Sequence, residues 1–293
     1  MTRQIHKELG YPIETMCHIL GLSRSSYYYT TAQTEKDQEI EAAIKDIAQQ
    51  FPCYGSRRIT YQLRREPHQL LVNRKKVQRI MQNEDLLVTV KRKSTNTTNS
   101  NHSYPRYPNL VKEIVIDHPD QVWVSDLTYI GLEKGFVYLG IIMDVFTRCI
   151  RGWSLSKTID HYLAKAALQM ALEKGKPEIH HSDQGVQYAA HEYVNMLHNE
   201  NISISMSKAG SPQENGYAER VIRTIKEEEV YLSEYIDFQD ANQQIGYFID
   251  RVYQYKRIHS SLGYLTPVEF EQDWWSNHRN NNSPLDINIL CPV

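Results

Sequence analysis

The stretch "QVWVSDLTYI", residues 121–130, decides the fold of the larger part of the chain. It is rich in β-branched and aromatic residues, which favour a strand. Two similar stretches follow after short glycine-containing turns, "GFVYLGIIMDVFT" at 135–147 and "CIRGWSLSK" at 149–157. Three closely spaced strands of this kind predict an antiparallel meander.

Helices and short strands alternate after the meander. The pattern predicts helices over 161–175 and 191–201, short strands over 177–185 and 202–207, a helix within 211–229, and a long helical run from about Phe238 to Tyr255. The order β-β-β-α-β-α-β-α is that of the ribonuclease H-like fold. We therefore expect an α/β core with a mixed five-stranded sheet and flanking helices.

The first 30 residues contain two short helical patterns. Apolar side chains recur at roughly helical spacing from Ile13 to Leu20, and Ser23 is placed to cap a second short helix. This segment is either a helix–turn–helix-like unit or a plain helical hairpin. A longer helix follows, with Ile40, Ile44 and Ile47 on one face.

Two further helices are predicted within 54–87. Ser56 can cap the first, with Ile59 and Leu63 inward, and Asn73 can cap the second, with Val77 and Met81 inward. Each begins with a basic cluster: Arg57 and Arg58 in the first, and Arg74, Lys75 and Lys76 in the second. Basic side chains and unpaired backbone N–H groups at the start of a helix favour the binding of phosphate groups. The pattern indicates a helix–turn–helix DNA-binding region, with a solvated basic surface as the alternative.

The charge is divided unevenly along the 293 residues, although the net charge is only −2. Residues 1–93 carry 16 basic and 10 acidic side chains, whereas the remainder carries 17 and 25. This asymmetry is typical of one module that holds a polyanion and another that gathers metal-binding carboxylates.

Composition also predicts the domain boundaries. We expect an all-α DNA-binding region at 1–93, with helix–turn–helix-like units near 10–30 and 38–87. A polar, proline-containing linker follows at 94–116, then the ribonuclease H-like core at 117–232 and a C-terminal helix and tail at 233–293.

Nothing in the sequence predicts a membrane segment. No run approaches the ~18 apolar residues of a spanning helix, and the N-terminus lacks the apolar stretch of a signal peptide. The four cysteines form no C-x-x-C pair, which argues against a zinc ribbon or a disulfide framework. A cytosolic protein is expected.

Two aspartates occupy unusual places in the predicted sheet. Asp126 lies in the middle of the first strand, where it is either an outward residue on an edge strand or a functional carboxylate. Asp183 ends the fourth strand, where a turn-forming role is the alternative. In this fold the first and fourth strands pair at the sheet centre, so the two carboxylates become neighbours. Carboxylates gathered there can hold divalent ions against a phosphodiester, with a third supplied by a helix.

Several motifs carry a resemblance to a known family. They are Trp123-x-x-Asp126-x-Thr128-Tyr129, His181-Ser182-Asp183-x-Gly185-x-Gln187-Tyr188, the 35 residues between Asp183 and Glu219, and "RIHSSLGYLTPVEF" at 257–270. Together they resemble the DDE transposases of the insertion-sequence-three family. Two positions depart from the family pattern: Glu214-Asn215-Gly216 stands for Asp-Asn-Ala, and Gln254 stands for Asn.

The resemblance implies a set of site residues. Asp126, Asp183 and Glu219 would be the catalytic residues and the ligands of two Mg²⁺ ions, which Mn²⁺ can replace. Lys226 would contact terminal DNA phosphates, with Arg223 and Asn215 also at the DNA. A salt-bridged surface helix is the alternative for Arg223 and Lys226. His181 would support Asp183 or the scissile phosphate, with packing as its alternative.

The resemblance also implies the reaction and its partners. Metal-dependent strand cleavage and strand transfer at insertion-sequence ends is the expected function. The alternatives are a ribonuclease H-like nuclease without strand transfer and a non-catalytic DNA-binding protein derived from a transposase. The partners would be double-stranded DNA (inverted-repeat ends and target), further copies of the chain as a homodimer or higher oligomer, and the product of an upstream overlapping frame, all in the bacterial cytosol or nucleoid.

The helix within 211–229 contains five glutamates, and only Glu219 has the family spacing. Glu214 stands in the turn before the helix, where a carboxylate suits the helix dipole. Glu227, Glu228 and Glu229 are predicted to be solvated.

Overall fold

One mixed sheet of five strands organises the larger part of the computed structural model, which describes residues 12–88, 105–208 and 210–278. The strands are β1 (Val122–Gly131), β2 (Phe136–Asp144), β3 (Ile150–Ser156), β4 (Ile179–Ser182) and β5 (Ser203–Met206). Their order is β3-β2-β1-β4-β5, with β1 antiparallel to β2 and parallel to β4. The predicted mixed five-stranded sheet is confirmed, and β1 lies at its centre.

Helices cover both faces of the sheet. In chain order after β3 they are α5 (His161–Leu172), α6 (Val186–Ala189), α7 (His191–Asn199), α8 (Gly216–Ile225), α9 (Phe238–Tyr247) and α10 (Pro267–His278). Alternate residues of β1 enter two different cores, as the two-residue period of a strand requires. Trp123 packs with residues of α5 and α7, whereas Val122 and Val124 pack with residues of α8 and α9.

Gly152 allows α5 to lie close against β3. A Cβ atom at this position would stand 2.1 Å from the carbonyl oxygen of Ala167 and 2.8 Å from the backbone nitrogen of Ala171. Only a residue without a side chain tolerates so close an approach of helix and strand.

The tail folds back onto the core. Wider, π-type turns extend α8 through Lys226–Val230 and α9 through Phe248–Tyr253, which confirms the long helical run predicted from Phe238. The last described helix, α10, begins with a reciprocal cap. The Thr266 hydroxyl accepts from the Glu269 N–H at 3.3 Å, and the Glu269 carboxylate accepts from the Thr266 N–H at 2.8 Å. Such a capping box satisfies two backbone donors that the helix start leaves unpaired.

Residues Met1–Val90 form a second compact unit, whose described part is helical. Its helices are α1 (Ile13–Ile19), α2 (Arg24–Gln50), α3 (Ser56–Gln62) and α4 (Arg74–Asn83). The predicted inward residues Ile59, Leu63, Val77 and Met81 are fully buried.

Of three local predictions in this unit, one is confirmed and two are wrong in detail. Asn73 caps α4 as predicted, because its side chain accepts from the Lys75 N–H at 2.8 Å. The short helix expected after Ser23 and the longer helix after it are instead one continuous helix, α2. At α3 the capping position is Gly55, and Ser56 is already the first helical residue.

Some predictions fall outside the described residues. They concern the first residues of the 10–30 unit, the part of the 94–116 linker before residue 105, and the tail from 279 to 293. In the part of the chain that the structure describes, no helix is both long and apolar enough to cross a membrane.

Candidate active site

Asp126 and Asp183 lie on neighbouring strands at the centre of the sheet. β4 pairs with β1 in parallel up to His181 opposite Val124. β4 ends at Ser182, so Asp183 follows this strand directly, and its charge raises the pKa of Asp126. Because side chains alternate along a strand, Asp126 lies on the face that Val124 shares with α8. Asp126 therefore faces the core side of the central strand, and the alternative of an outward residue on an edge strand is excluded.

Glu219 lies in the first turn of α8, and polar contacts hold the start of this helix against the sheet. The Asn215 side-chain amide donates to the Ser125 carbonyl at 3.1 Å, next to Asp126 in the chain. The His181 ring spans β4 and β5: its Nε2 donates to the Glu214 carbonyl at 3.2 Å, and its Nδ1 therefore accepts from the Ser205 hydroxyl at 2.8 Å. These contacts bring Glu219 to the same face as the aspartates.

Electrostatics join the three carboxylates into one site. Burial, the charge of Asp183 and, more weakly, that of Glu219 together raise the pKa of Asp126 to about 8, against the Leu127 N–H and Lys226, which lower it. Like charges that share a site disfavour ionisation in this way. In the absence of a cation Asp126 therefore keeps a proton at neutral pH.

The three carboxylates are not gathered around one point. Among the described residues, no group of three His, Cys, Asp or Glu side chains is placed to hold a metal ion. Asp183 raises the pKa of Asp126 more strongly than Glu219 does.

Lys226 continues the same side of α8 towards the carboxylates. Its ammonium nitrogen lies 4.6 Å from the centroid of the Tyr129 ring. Burial lowers the pKa of this half-buried lysine, and Tyr129 and Asp126 oppose that effect. Arg223, one turn earlier, is exposed. A cation thus stands beside the carboxylate cluster, as a phosphate contact would require.

Two of the predicted site residues serve the protein's own structure. Asn215 is only 4% exposed and its amide bonds to β1, so it helps to hold α8, and its contact with DNA stays a prediction. The His181 ring is fully buried and both of its nitrogens are engaged by Ser205 and Glu214, which fits the packing alternative. Burial lowers the pKa of His181, so the ring stays neutral.

Comparisons with known proteins agree with this geometry. Residues 116–212 and 200–267 match families described as Integrase core domain, and residues 35–94 match one described as HTH-like domain. The chain is 32% identical to the insertion element IS600 uncharacterized 31 kDa protein of Shigella sonnei, over 88% of this chain and 98% of that protein. It is 33% identical to the transposase for insertion sequence element IS904 of Lactococcus lactis, over 75% and 87%.

The chain belongs to the insertion-sequence-three family of transposases. It is also 28% identical to the transposase InsF for insertion sequence IS3A of Escherichia coli, over 89% of this chain and 94% of that one. Among solved structures it resembles the catalytic core domain of the HTLV-2 integrase in complex with magnesium, with 18% identity and a TM-score of 0.45, over 53% of this chain and 97% of that chain. The Integrase core domain match and the transposase relatives show that the chain is a polynucleotidyl transferase.

The transposase tail motif that begins at Arg257 is tied to the helix that carries Glu219. Arg257 is 3% exposed and donates two hydrogen bonds of 2.7 Å to the Glu228 carboxylate, from Nε and Nη2. The prediction that Glu228 is solvated is therefore wrong, and Glu229 is likewise half-buried, accepting from Ser233 and Tyr235 at 3.1 Å each. A charged run in a sequence does not reveal a buried partner 29 residues away.

Gln254, a departure from the family pattern, also has a structural role. Its amide donates to the Ile150 carbonyl at 2.8 Å and accepts from the Ile150 N–H at 3.2 Å. The side chain therefore pairs with the start of β3 as a further strand residue would.

The basic residues of the first unit differ in their exposure. Arg57, Arg74 and Lys75 are exposed, as contact with DNA requires. Arg58 is half-buried, with its guanidinium 5.2 Å from the Tyr54 ring centroid. Lys76 forms an ion pair with Asp37 of α2.

Proposed function

We propose that Asp126, Asp183 and Glu219 bind two divalent cations and catalyse cleavage and strand transfer of DNA at the ends of an insertion sequence. The observation that carries the proposal is the register of β1 and β4 together with the pKa of Asp126. The paired central strands carry Asp126 and lead directly into Asp183, and Asp126 has a pKa of about 8 because of burial and these neighbouring charges, which supports a shared site.

The donor set fits a hard cation such as Mg²⁺, with Mn²⁺ as a substitute. Mg²⁺ prefers carboxylate oxygens, and the three candidate ligands are all carboxylates. Their mutual repulsion and the burial of Asp126 are costs that a bound cation would remove. When bound, a pair of such ions supplies activation of the attacking oxygen and stabilisation of the leaving oxygen.

The protein's own part is positioning and charge. Lys226 stands beside Asp126 and would hold a phosphate of the bound strand, with exposed Arg223 one turn away. Water would attack first, and the freed DNA 3′-OH would attack the target strand second. No covalent bond between protein and DNA is part of this scheme.

The first unit would hold the DNA. Arg57, Arg74 and Lys75 are exposed cations at the start of two helices, where N–H groups and charge both favour phosphate. We further propose that two or more copies of the transposase bridge the inverted-repeat ends and the target, and that the product of an upstream overlapping frame takes part.

Substitution of Glu219 by Gln tests the site. The variant keeps the size of the side chain but loses its charge, so we expect metal-dependent end cleavage to fall about 100-fold or more while DNA binding persists. Glu234→Gln, at an exposed position beyond the same helix, is the matched control and should cleave like the wild type.

An assay with a pre-cut end separates the two chemical steps. If Glu219→Gln cleaved normally in Mg²⁺, the assignment of the carboxylate would be wrong. If the wild type cleaved ends but never joined a pre-cut end to a second duplex, the proposal of strand transfer would be wrong. The proposal of a metal site would be unaffected by that result.

A further inference from the structure

The second half of β1 is open on one side. β4 pairs with β1 only from Val122 to Val124. Among the described strands, β1 beyond Asp126 therefore has β2 as its only neighbour. The backbone and side chains from Asp126 to Gly131 border a surface that lies next to the carboxylate site.

Aromatic side chains gather on this surface. The Tyr129 and Phe136 rings meet edge to face, with centroids 5.8 Å apart and planes at 82°. Phe136 is 60% exposed and Tyr231 is 49% exposed. Tyr231 follows the Lys226–Val230 turn directly, and the Tyr129 hydroxyl is near enough to raise the pKa of Tyr231, after burial and before Glu227. We call Tyr129, Phe136 and Tyr231 the aromatic platform.

A cation links this platform to the carboxylates. Lys226 lies with its ammonium 4.6 Å from the Tyr129 ring centroid, and its charge also acts on Asp126. Tyr129 follows Asp126 by three residues, about 10 Å along the strand, so the two side chains leave β1 on opposite faces. Lys226 contacts the Tyr129 ring and its charge acts on Asp126, and it therefore connects the two at the edge where β1 has no partner on the β4 side.

We propose that the aromatic platform stacks an unpaired base of the DNA end whose phosphodiester lies at the carboxylate site. The inference rests on the proposed function for the position of that phosphodiester. Exposed aromatic faces next to a cation are the combination that binds single-stranded nucleic acid, because every base offers a flat face and every nucleotide a phosphate. A base inside a duplex has both faces covered by its neighbours, so the platform selects a base that has left the stack.

The occupant follows from the chemistry of the surface. A protein partner would not need the cation beside the rings, whereas a nucleotide strand uses both. The platform therefore favours local melting of the duplex at the point of cleavage, since each captured base offsets part of the cost of unpairing.

The test compares two DNA duplexes that carry the element's own terminal repeat, without divalent metal so that no cutting occurs. One is fully paired and the other has mismatches in the base pairs next to the cleavage point. Stacking of one base should give the wild type a preference for the mismatched duplex of roughly 5- to 100-fold in Kd. Phe136→Leu and Tyr231→Leu keep an apolar side chain but lose the ring, and each should reduce that preference about fivefold.

Tyr247→Leu is the matched control, because Tyr247 is similarly exposed, at 57%, but lies at the far end of α9. It should keep the wild-type preference. Equal affinity of the wild type for both duplexes would overturn the proposal. So would a loss of affinity for both duplexes alike in the Phe136 and Tyr231 variants.

Thermal unfolding of each variant separates a lost ring from a lost fold, and a 2-aminopurine base at the mismatch gives a second readout. Its fluorescence should be quenched by the wild type and less so by the two ring variants. Glu219→Gln should keep the preference, so failure of the carboxylate assignment and failure of the platform give different results.

Discussion

Substitution of Asp126 by Asn should stabilise the metal-free protein at alkaline pH while abolishing its catalysis. The pKa of Asp126 is raised from 3.8 to about 8 by burial and by Asp183. Ionisation of this carboxyl therefore opposes folding, and an amide of the same shape removes that cost. Such a gain in stability on substitution is expected where carboxylates are arranged for a bound cation and therefore destabilise the metal-free protein.

The size and sign of the effect follow from the two pKa values. Below pH 3.8 both the folded and the unfolded chain hold the proton, so the contribution of the protonated carboxyl to the free energy of unfolding is fully present there. Between about pH 4 and 8 the folded chain holds more protons, and the free energy of unfolding of the wild type falls as pH rises. A difference of about four pH units corresponds to an upper limit of roughly 6 kcal/mol. Because water screens a half-buried carboxylate, about 2–3 kcal/mol is expected.

Urea or thermal unfolding of the metal-free protein at pH 4 and pH 8 measures this effect. For a unit of about 200 residues, Asp126→Asn should raise Tm by roughly 5–10 °C at pH 8 and by little at pH 4. Added Mg²⁺ should narrow the gap, because it stabilises the wild type and not the variant. Asp273→Asn, at an exposed position of α10, is the control and should change Tm at neither pH.

Two results would refute this reasoning. An equal gain in Tm at pH 4 and pH 8 would mean that packing rather than charge is responsible. No gain in Tm at pH 8 would mean that the Asp126 carboxylate is well solvated or already paired with a cation. Its ionisation would then not destabilise the metal-free fold as proposed.

Two further substitutions test the frame around the site. Gly152→Ala places a Cβ 2.1 Å from the Ala167 carbonyl oxygen, so the free energy of unfolding measured by urea titration should fall by about 3 kcal/mol or more. Gly131→Ala is its control and should cost far less, because the added Cβ has no atom within 4 Å. Arg257→Leu removes both hydrogen bonds to the Glu228 carboxylate and should lower the free energy of unfolding by about 3–5 kcal/mol. The double variant Arg257→Leu/Glu228→Met leaves no unpaired carboxylate and should recover most of that loss. A double variant no more stable than Arg257→Leu alone would show that the cost is lost packing.

The sequence predicts most of the sheet and the identity of the carboxylates. All five strands begin and end within about three residues of the predicted stretches, because β-branched and aromatic runs bounded by glycine are a strong local signal. The fold order then brings Asp126 and Asp183 together without any further assumption. Their pairing is a consequence of topology, which a sequence of strands and helices largely determines.

The missed features depend on partners that are distant in the chain. Glu228 looks solvated in a run of three glutamates, and only the folded chain brings Arg257 against it. The sequence around Asn215 gives no sign that its amide donates to the Ser125 carbonyl, 90 residues earlier in the chain. In each case the local pattern was ambiguous, and a contact across tens of residues decided the outcome.

The position of Glu219 is held from three directions, and this gives the tail motif a mechanical role. Asn215 fixes the start of α8 to β1, His181 fixes the preceding turn to β4, and Arg257 holds Glu228 two turns beyond Glu219. In the proposed site Glu219 is the third carboxylate, so looseness in α8 would lower the affinity of that site for a cation. The tail motif need not contact DNA to matter for the proposed chemistry, since through Arg257 it restrains the helix that carries Glu219.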